Sequence, residues 1–105
     1  MIKIIKIGAD WCKNCNILSN DLHNVNYHDI NFDMIDELEI ELKKNYGNHI
    51  YDNIVNTEKL PTLYIVNNNN IIDKMIGYNP GRKNELLSII EKYNINNTLS
   101  YDEDF

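Results

Sequence analysis

The sequence has 105 residues, 43% of them hydrophobic and 25% charged, with a formal net charge of -6 at pH 7, which predicts one globular domain. The acidic balance argues against binding to nucleic acid or to anionic membranes, because both need a basic surface. No apolar run approaches the length of a membrane span, and the N-terminus lacks the apolar region and cleavage site of a signal peptide. We therefore expect a monomer in the cytoplasm, where a close cysteine pair is more often catalytic, redox-sensing or metal-binding than structural.

The first half of the chain predicts alternating strands and helices. Residues 2 to 9 are rich in isoleucine and indicate a buried strand. Apolar residues at helical spacing then predict a helix from Cys12 to His23, followed by a loop over residues 24 to 29. Residues 30 to 36 alternate apolar and polar side chains, which is typical of a second strand. Residues 37 to 46 predict a short helix that ends before a glycine.

The second half predicts a hairpin and a last helix. Residues 48 to 59 indicate one more helical turn and then a loop. Residues 60 to 66 and 71 to 78 are strand-like, and the four asparagines between them are typical of a hairpin turn. Residues 79 to 93 place apolar side chains on one face and predict the last helix.

The order of these elements predicts an α/β fold with a four-stranded mixed sheet, βαβ–α–ββα, flanked by helices on both faces. The first two strands should be parallel, with a right-handed crossover between them. We place the domain at residues 1 to 94. Residues 95 to 105 are polar and then acidic, and we expect a frayed tail there, with docking through Tyr101 and Phe105 as the alternative.

The stretch DWCKNC, residues 10 to 15, contains both cysteines and the single tryptophan. A cysteine at the start of a helix faces unpaired backbone N–H groups and the positive end of the helix dipole, which stabilise a thiolate. Cys12 should therefore be the nucleophile. Cys15, one turn further along and more buried, should resolve the mixed disulfide that forms at Cys12. C-x-x-C spacing beside a βαβ pattern is itself typical of a thioredoxin-like redox motif.

Three features together make the chain resemble the thioredoxin superfamily over about residues 2 to 93. Trp11 with the cysteine pair matches the W-C-x-x-C active site. Pro61, followed by threonine, matches the cis-proline that faces the cysteines in that superfamily. Gly77 matches a glycine near the disulfide at the end of the last strand. Each motif occurs in the expected order along the chain.

The resemblance implies a minimal thioredoxin-like fold and a thiol–disulfide oxidoreductase that reduces or exchanges protein disulfides. It implies that Trp11, Leu60, Pro61 and Gly77 bind the substrate, with the Leu60 backbone pairing like a strand with the substrate segment. The only redox group would be the disulfide formed by the two cysteines, without another cofactor and without a metal. The electron donor would be a thioredoxin-reductase-like flavoprotein or glutathione.

Several residues depart from the superfamily pattern. Because the active-site strand comes first in this sequence, we expect a fold closer to the minimal form of glutaredoxins than to a full thioredoxin, which has a leading strand and helix. Lys6 occupies the position of the usual buried aspartate, six residues before Cys12, so we assign no proton relay. A buried lysine would favour thiolates if charged, or become neutral through desolvation. Lys13 adds positive charge near Cys12, which should lower the pKa of this cysteine. Lys13 and Lys6 are thus the expected pKa-tuning residues.

Other interpretations remain open. Three histidines, His23, His28 and His49, could complete a metal site with the cysteines, but they lack paired spacing. Cluster bridging between two copies, by analogy with some glutaredoxins, is a further alternative. The fold could also serve as a redox-sensing module or scaffold without turnover, since fold does not fix function.

Overall fold

A computed structural model describes residues 2 to 93, so the predicted acidic tail of residues 95 to 105 lies outside the described residues. The four strands are β1 (Ile2–Gly8), β2 (His28–Asn31), β3 (Thr62–Asn67) and β4 (Asn70–Ile76). The four α-helices are α1 (Lys13–Asp21), α2 (Glu39–Tyr46), α3 (Asn48–Val55) and α4 (Lys83–Lys92). Among residues 2 to 93, no helix is long and apolar enough to cross a membrane.

The strands form one mixed sheet in the spatial order β2-β1-β3-β4. β1 and β2 are parallel, as the connecting helix predicts. β1 pairs antiparallel with β3, and β3 pairs antiparallel with β4 through the hairpin. The predicted α/β class with a four-stranded mixed sheet is confirmed.

Side chains of β1 alternate between two apolar layers, because successive residues of a strand point to opposite faces. Ile5 and Ile7 pack with buried residues of α2 and α3, including Leu42 and Ile50. Ile4 packs on the other face, in a cluster that contains residues of α1 and α4. Helices therefore cover both faces of the sheet, and β1 lies between two core layers.

The second strand differs from the sequence prediction. It begins earlier, at His28, and ends at Asn31, where a 3₁₀ turn over Phe32–Met34 follows. The Asn31 side chain accepts a hydrogen bond from the backbone N–H of Asp33, 2.9 Å away. This local cap competes with the extended conformation, so the strand ends at Asn31 and residues 32 to 36 of the predicted strand are not extended.

The second half of the chain follows the prediction more closely, with two corrections. The last helix begins at Lys83 rather than at residue 79, because a 3₁₀ turn over Pro80–Arg82 precedes it. Residues 48 to 55 form a complete helix rather than a single turn, because Ile50 and Ile54 reach the core on one face. The hairpin is confirmed, and its two turn residues, Asn68 and Asn69, have φ of 53° and 68°. Asparagine tolerates this left-handed region, and positive φ at both central residues is typical of a type I′ turn.

Candidate functional site

The two cysteines lie where β1 passes into α1. Cys12 is the N-cap residue of α1, with extended backbone angles (φ -93°, ψ 110°). Its backbone N–H donates to the Ala9 carbonyl at 3.1 Å, which closes a tight turn after the strand. Its sulfur accepts the backbone N–H of Cys15 at 3.2 Å. The sulfur of Cys12 therefore takes the position of a capping side-chain oxygen and faces the positive end of the helix.

Cys12 and Cys15 are joined in a disulfide, with their Cα atoms 5.2 Å apart. Cys12 keeps 8% of its surface exposed and Cys15 keeps 1%, the order that the sequence predicts. Ala9 and the two cysteines form a small apolar cluster, and Leu60 packs against it. The more accessible cysteine is thus the one at the helix start.

The Leu60–Pro61 segment faces this cluster and is tied to the end of β4. The Leu60–Pro61 peptide bond is cis. The Pro61 carbonyl accepts the backbone N–H of Gly77 at 2.8 Å. Gly77 has φ of 76°, and a Cβ there would lie 3.1 Å from Cε of Lys59. The structure therefore brings Leu60, Pro61 and Gly77 together, with Lys59 beside Gly77.

Arg82 holds the backbone that follows β4. Its Nη1 donates to the carbonyls of Ile76 and Gly77, at 2.6 and 2.7 Å. Its other nitrogens donate to both carboxylate oxygens of Glu85, at 2.9 and 2.7 Å. These hydrogen bonds and the positive charge of Arg82 lower the pKa of Glu85. Sequence reasoning missed this arginine, because its partners are backbone carbonyls that no side-chain pattern reveals.

Trp11 extends from the rim of the site with 70% of its surface exposed. Its indole N–H donates to a carboxylate oxygen of Asp33 at 2.8 Å. Asp33 belongs to the 3₁₀ turn that replaces the predicted end of the second strand. Trp11 is therefore an exposed ring next to Cys12 in the chain, and the partner that orients it comes from a segment that the sequence predicted differently.

The two lysines expected to tune the cysteines occupy different environments. Lys13 is exposed on the first residue of α1. Lys6 is buried, with 3% of its surface exposed. Its Nζ donates to the hydroxyl of Ser19 at 2.6 Å and lies 3.3 Å from a carboxylate oxygen of Asp29. Lys6 and Asp29 lie opposite each other in the parallel pairing of β1 with β2. The sequence alone does not give the register of this pairing, so it could not identify Asp29 as the partner of Lys6.

Gly8 lies between the cysteine pair and Lys6. A Cβ at Gly8 would lie 3.2 Å from both Cβ and Sγ of Cys15, and 3.3 Å from Cε of Lys6. These distances are shorter than the usual separation of nonbonded carbon atoms, roughly 3.5 to 4.0 Å. The missing side chain at this position lets α1 pack close to β1 over the disulfide.

Tyr78, directly after Gly77, connects this region to the end of α1. Its buried hydroxyl donates to a carboxylate oxygen of Asp21 at 2.5 Å. Burial, and then the hydrogen bond and the negative charge of Asp21, raise the pKa of Tyr78 well above its usual value. The hydroxyl therefore remains a donor across the neutral pH range and ties the loop after β4 to α1.

Two of the three histidines considered as metal ligands, His23 and His28, have other contacts. His23 Nδ1 lies 3.0 Å from the Asn20 carbonyl oxygen, and His28 Nδ1 lies 2.6 Å from the Tyr46 hydroxyl. Over residues 2 to 93, no group of three or more His, Cys, Asp or Glu side chains is arranged to hold a metal ion.

Comparison with solved structures shows a thioredoxin fold. The chain is similar to oxidised thioredoxin O2 of Arabidopsis thaliana, with 17% identity and a TM-score of 0.52 over 88% of this chain and 74% of that one. It is similar to oxidised thioredoxin of Plasmodium falciparum, with 21% identity and a TM-score of 0.53 over 88% and 80%. It is also similar to thioredoxin of Malassezia sympodialis, with 16% identity and a TM-score of 0.53 over 87% and 73%. No protein-family profile and no curated protein matches the sequence.

Proposed function

From the thioredoxin fold of this chain and its C-x-x-C disulfide, we propose that the protein is a thiol–disulfide oxidoreductase that reduces or exchanges disulfides in other proteins. One observation carries the proposal. The Cys12–Cys15 disulfide lies at the N-terminus of α1, with the Cys12 sulfur in the capping position and Leu60 packed beside it. A thiolate at this place receives backbone N–H groups and the helix dipole, the setting that makes a cysteine reactive.

In the proposed reaction, the thiolate of reduced Cys12 attacks one sulfur of the substrate disulfide. The substrate S–S bond breaks, one substrate thiolate leaves, and Cys12 forms a mixed disulfide with the other half. Cys15 then loses its proton, and its thiolate attacks the Cys12 sulfur. The second substrate thiol is released and the Cys12–Cys15 disulfide forms. Two electrons pass to the substrate, and a dithiol or thiol reductant must return the protein to its reduced state.

The residues around the disulfide offer a surface for an extended substrate. The ladder between β1 and β3 begins at Thr62, so Leu60 precedes the paired part of the strand. We propose that its backbone pairs with a substrate segment by strand addition. Pro61 and Gly77 lie next to it through their shared hydrogen bond. The exposed ring of Trp11 would cover the other side of the bound segment.

We propose that the protein acts on disulfide-containing proteins. A thioredoxin-reductase-like flavoprotein or glutathione then returns its two cysteines to the reduced state. We propose that the protein is a monomer in the cytoplasm, where glutathione and thioredoxin keep thiols reduced. The net charge of -6 favours proteins as partners over nucleic acid or anionic lipid surfaces, because these surfaces repel an acidic protein.

The first test measures reduction of insulin disulfides by dithiothreitol, with and without the protein. The wild-type protein should accelerate the reaction, and Cys12→Ser should abolish the acceleration. Cys15→Ser should instead accumulate a mixed disulfide at Cys12, visible as a mass increase that dithiothreitol reverses. Ser88→Ala, a change of similar size at an exposed position of α4, is the control and should keep the mixed-disulfide chemistry.

Equilibration in graded dithiol buffers then assigns the direction of exchange. A midpoint of roughly -200 to -270 mV supports a reductase, whereas a midpoint of roughly -120 to -180 mV assigns an oxidant or isomerase. A protein that forms the disulfide but neither accelerates insulin reduction nor traps a substrate would contradict the enzymatic proposal. That result would favour a redox-sensing or scaffold module.

A further inference from the structure

Lys6 and Gly8 lie on the face of β1 against which Cys15 of α1 packs. Lys6 and Gly8 are two residues apart on the strand, so both point towards α1. On α1, Cys15 and Ser19 are four residues apart and therefore lie on one face of the helix. Cys15 contacts the position of the missing Gly8 side chain, and Ser19 accepts the hydrogen bond of Lys6.

The missing side chain of Gly8 brings the lysine close to the resolving sulfur. Sγ of Cys15 and Cε of Lys6 lie 3.2 and 3.3 Å from the same point, so they are at most 6.5 Å apart, the sum of these distances. Nζ of Lys6 is one bond further, which keeps it within about 8 Å of the sulfur. At such a separation in a buried setting, a positive charge acts on a thiolate with little screening.

Asp29 and Ser19 hold the ammonium group of Lys6 in this position. The Asp29 carboxylate lies 3.3 Å from Nζ, and 53% of its side chain is exposed. The Tyr27 ring centre lies 6.0 Å from the same nitrogen. A cavity of about 210 Å³ adjoins Lys6 and Asp29, and Asp10 also lines it. Asp10 and Asp29 are the carboxylates of this cavity lining, and both oppose the effect of Lys6.

We propose that Lys6 stabilises the thiolate of Cys15 in the reduced protein, and that Asp29 partly offsets this effect. Lys6 is thus a positioning residue for the second step of the exchange, in which the Cys15 thiolate attacks Cys12. A buried thiolate is otherwise disfavoured by desolvation. The proton of Cys15 passes to solvent before the attack. This inference deepens the proposed thiol–disulfide exchange and rests on it.

The direct test titrates Cys15 alone. In a Cys12→Ser background, the ultraviolet absorbance of the Cys15 thiolate is followed against pH. Adding Lys6→Met should move the titration midpoint upward by about one pH unit, and Lys6→Arg should restore it. Asp29→Asn should move the midpoint downward, because the positive charge is no longer offset. Lys3→Met, on the same strand but on the opposite face, is the matched control and should change nothing.

A kinetic test connects this titration to the exchange reaction. In the otherwise wild-type protein, Lys6→Met should slow the release of substrate from the mixed disulfide about tenfold at neutral pH, in proportion to the lost thiolate fraction. The rate should recover as the pH rises, whereas formation of the mixed disulfide at Cys12 should change less. A purely structural role of Lys6 would not produce this pH-dependent recovery.

The outcomes separate this inference from the proposed function. Equal midpoints for the Lys6→Met variant and its parent overturn the role of Lys6, even if insulin reduction is intact. An unchanged or raised midpoint in Asp29→Asn overturns the role of Asp29. If the protein exchanges no disulfides but the midpoint still follows the charge at Lys6, the proposed function fails while the electrostatic contact stands. Lys6→Met should fold, because the carboxylate that it leaves unpaired, Asp29, is 53% exposed and remains solvated by water.

Discussion

Replacing Gly8 with alanine tests how closely α1 packs on β1 over the disulfide. The new Cβ would lie 3.2 Å from Cβ and Sγ of Cys15 and 3.3 Å from Cε of Lys6. Neither neighbour moves freely, because Cys15 is held by the helix and the disulfide, and Lys6 is held by Ser19 and Asp29. Overpacking of this kind costs about 1 to 3 kcal/mol.

An opposing effect reduces the net change. Alanine restricts the unfolded chain more than glycine does, which stabilises a protein by about 0.4 to 1 kcal/mol where the backbone allows it. Gly8 lies in a regular strand, so this gain applies. We therefore expect Gly8→Ala to lower the free energy of unfolding by about 1 kcal/mol.

Urea unfolding of the oxidised and reduced proteins measures this change. The loss should be larger in the oxidised protein, because the Cys15 sulfur can rotate away once the disulfide is reduced. A double-mutant cycle with Cys15→Ala in the reduced protein should recover part of the loss, since one of the crowded atoms is then absent. A Gly8→Ala protein that equals or exceeds the wild type in stability when oxidised would refute the close packing inferred at this position.

Three further predictions follow from the surroundings of the site. Tyr78→Phe should lower stability by about 1 to 2 kcal/mol at neutral pH through loss of the hydrogen bond to Asp21. Burial raises the pKa of Tyr78 in the folded protein above its value of 10.0 in the unfolded chain. The stabilisation from Tyr78 is therefore complete below pH 10.0 and declines as the pH rises further. Thermal melts from neutral to alkaline pH should show the wild type and Tyr78→Phe converging in stability. Arg82 lowers the pKa of Glu85, so the stabilisation from this carboxylate is present above pH 4.5 and is lost as the pH falls below it. The difference in melting temperature between wild type and Glu85→Gln should therefore shrink in acid. A difference that stays constant with pH would contradict the ion pair. Trp11→Ala should leave stability within about 0.5 kcal/mol, because the ring is mostly exposed, but should lower kcat/KM for insulin reduction; an unchanged kcat/KM would exclude the ring from the substrate surface.

Local sequence patterns were sufficient for most elements of the sheet. The isoleucine-rich run gives β1, because β-branched residues pack well on a pleated surface buried on both sides. The asparagine tetrad gives the hairpin turn, because asparagine accepts the left-handed backbone there. The cysteine spacing placed the redox pair at the start of α1. In each case the interactions that decide the structure lie within a few residues of one another.

Two elements could not be predicted in this way. The alternation of residues 30 to 36 suggested a strand, but the cap formed by the Asn31 side chain begins a 3₁₀ turn instead. The sequence of residues 48 to 55 indicated only one helical turn, whereas packing of Ile50 and Ile54 into the core stabilises the full helix. The first error comes from a local cap that competes with the extended pattern, and the second from tertiary packing.

The sequence by itself determined the order of elements, the redox motif and the residues Cys12, Cys15 and Pro61 as candidates for the site. Only the tertiary structure decided the environment of Lys6, which follows from the register between β1 and β2 and from the packing of α1 over Gly8. The physical reason is that a charge acts through distance and burial. Distances between residues as far apart in sequence as Lys6 and Asp29 are fixed only when the strands pair.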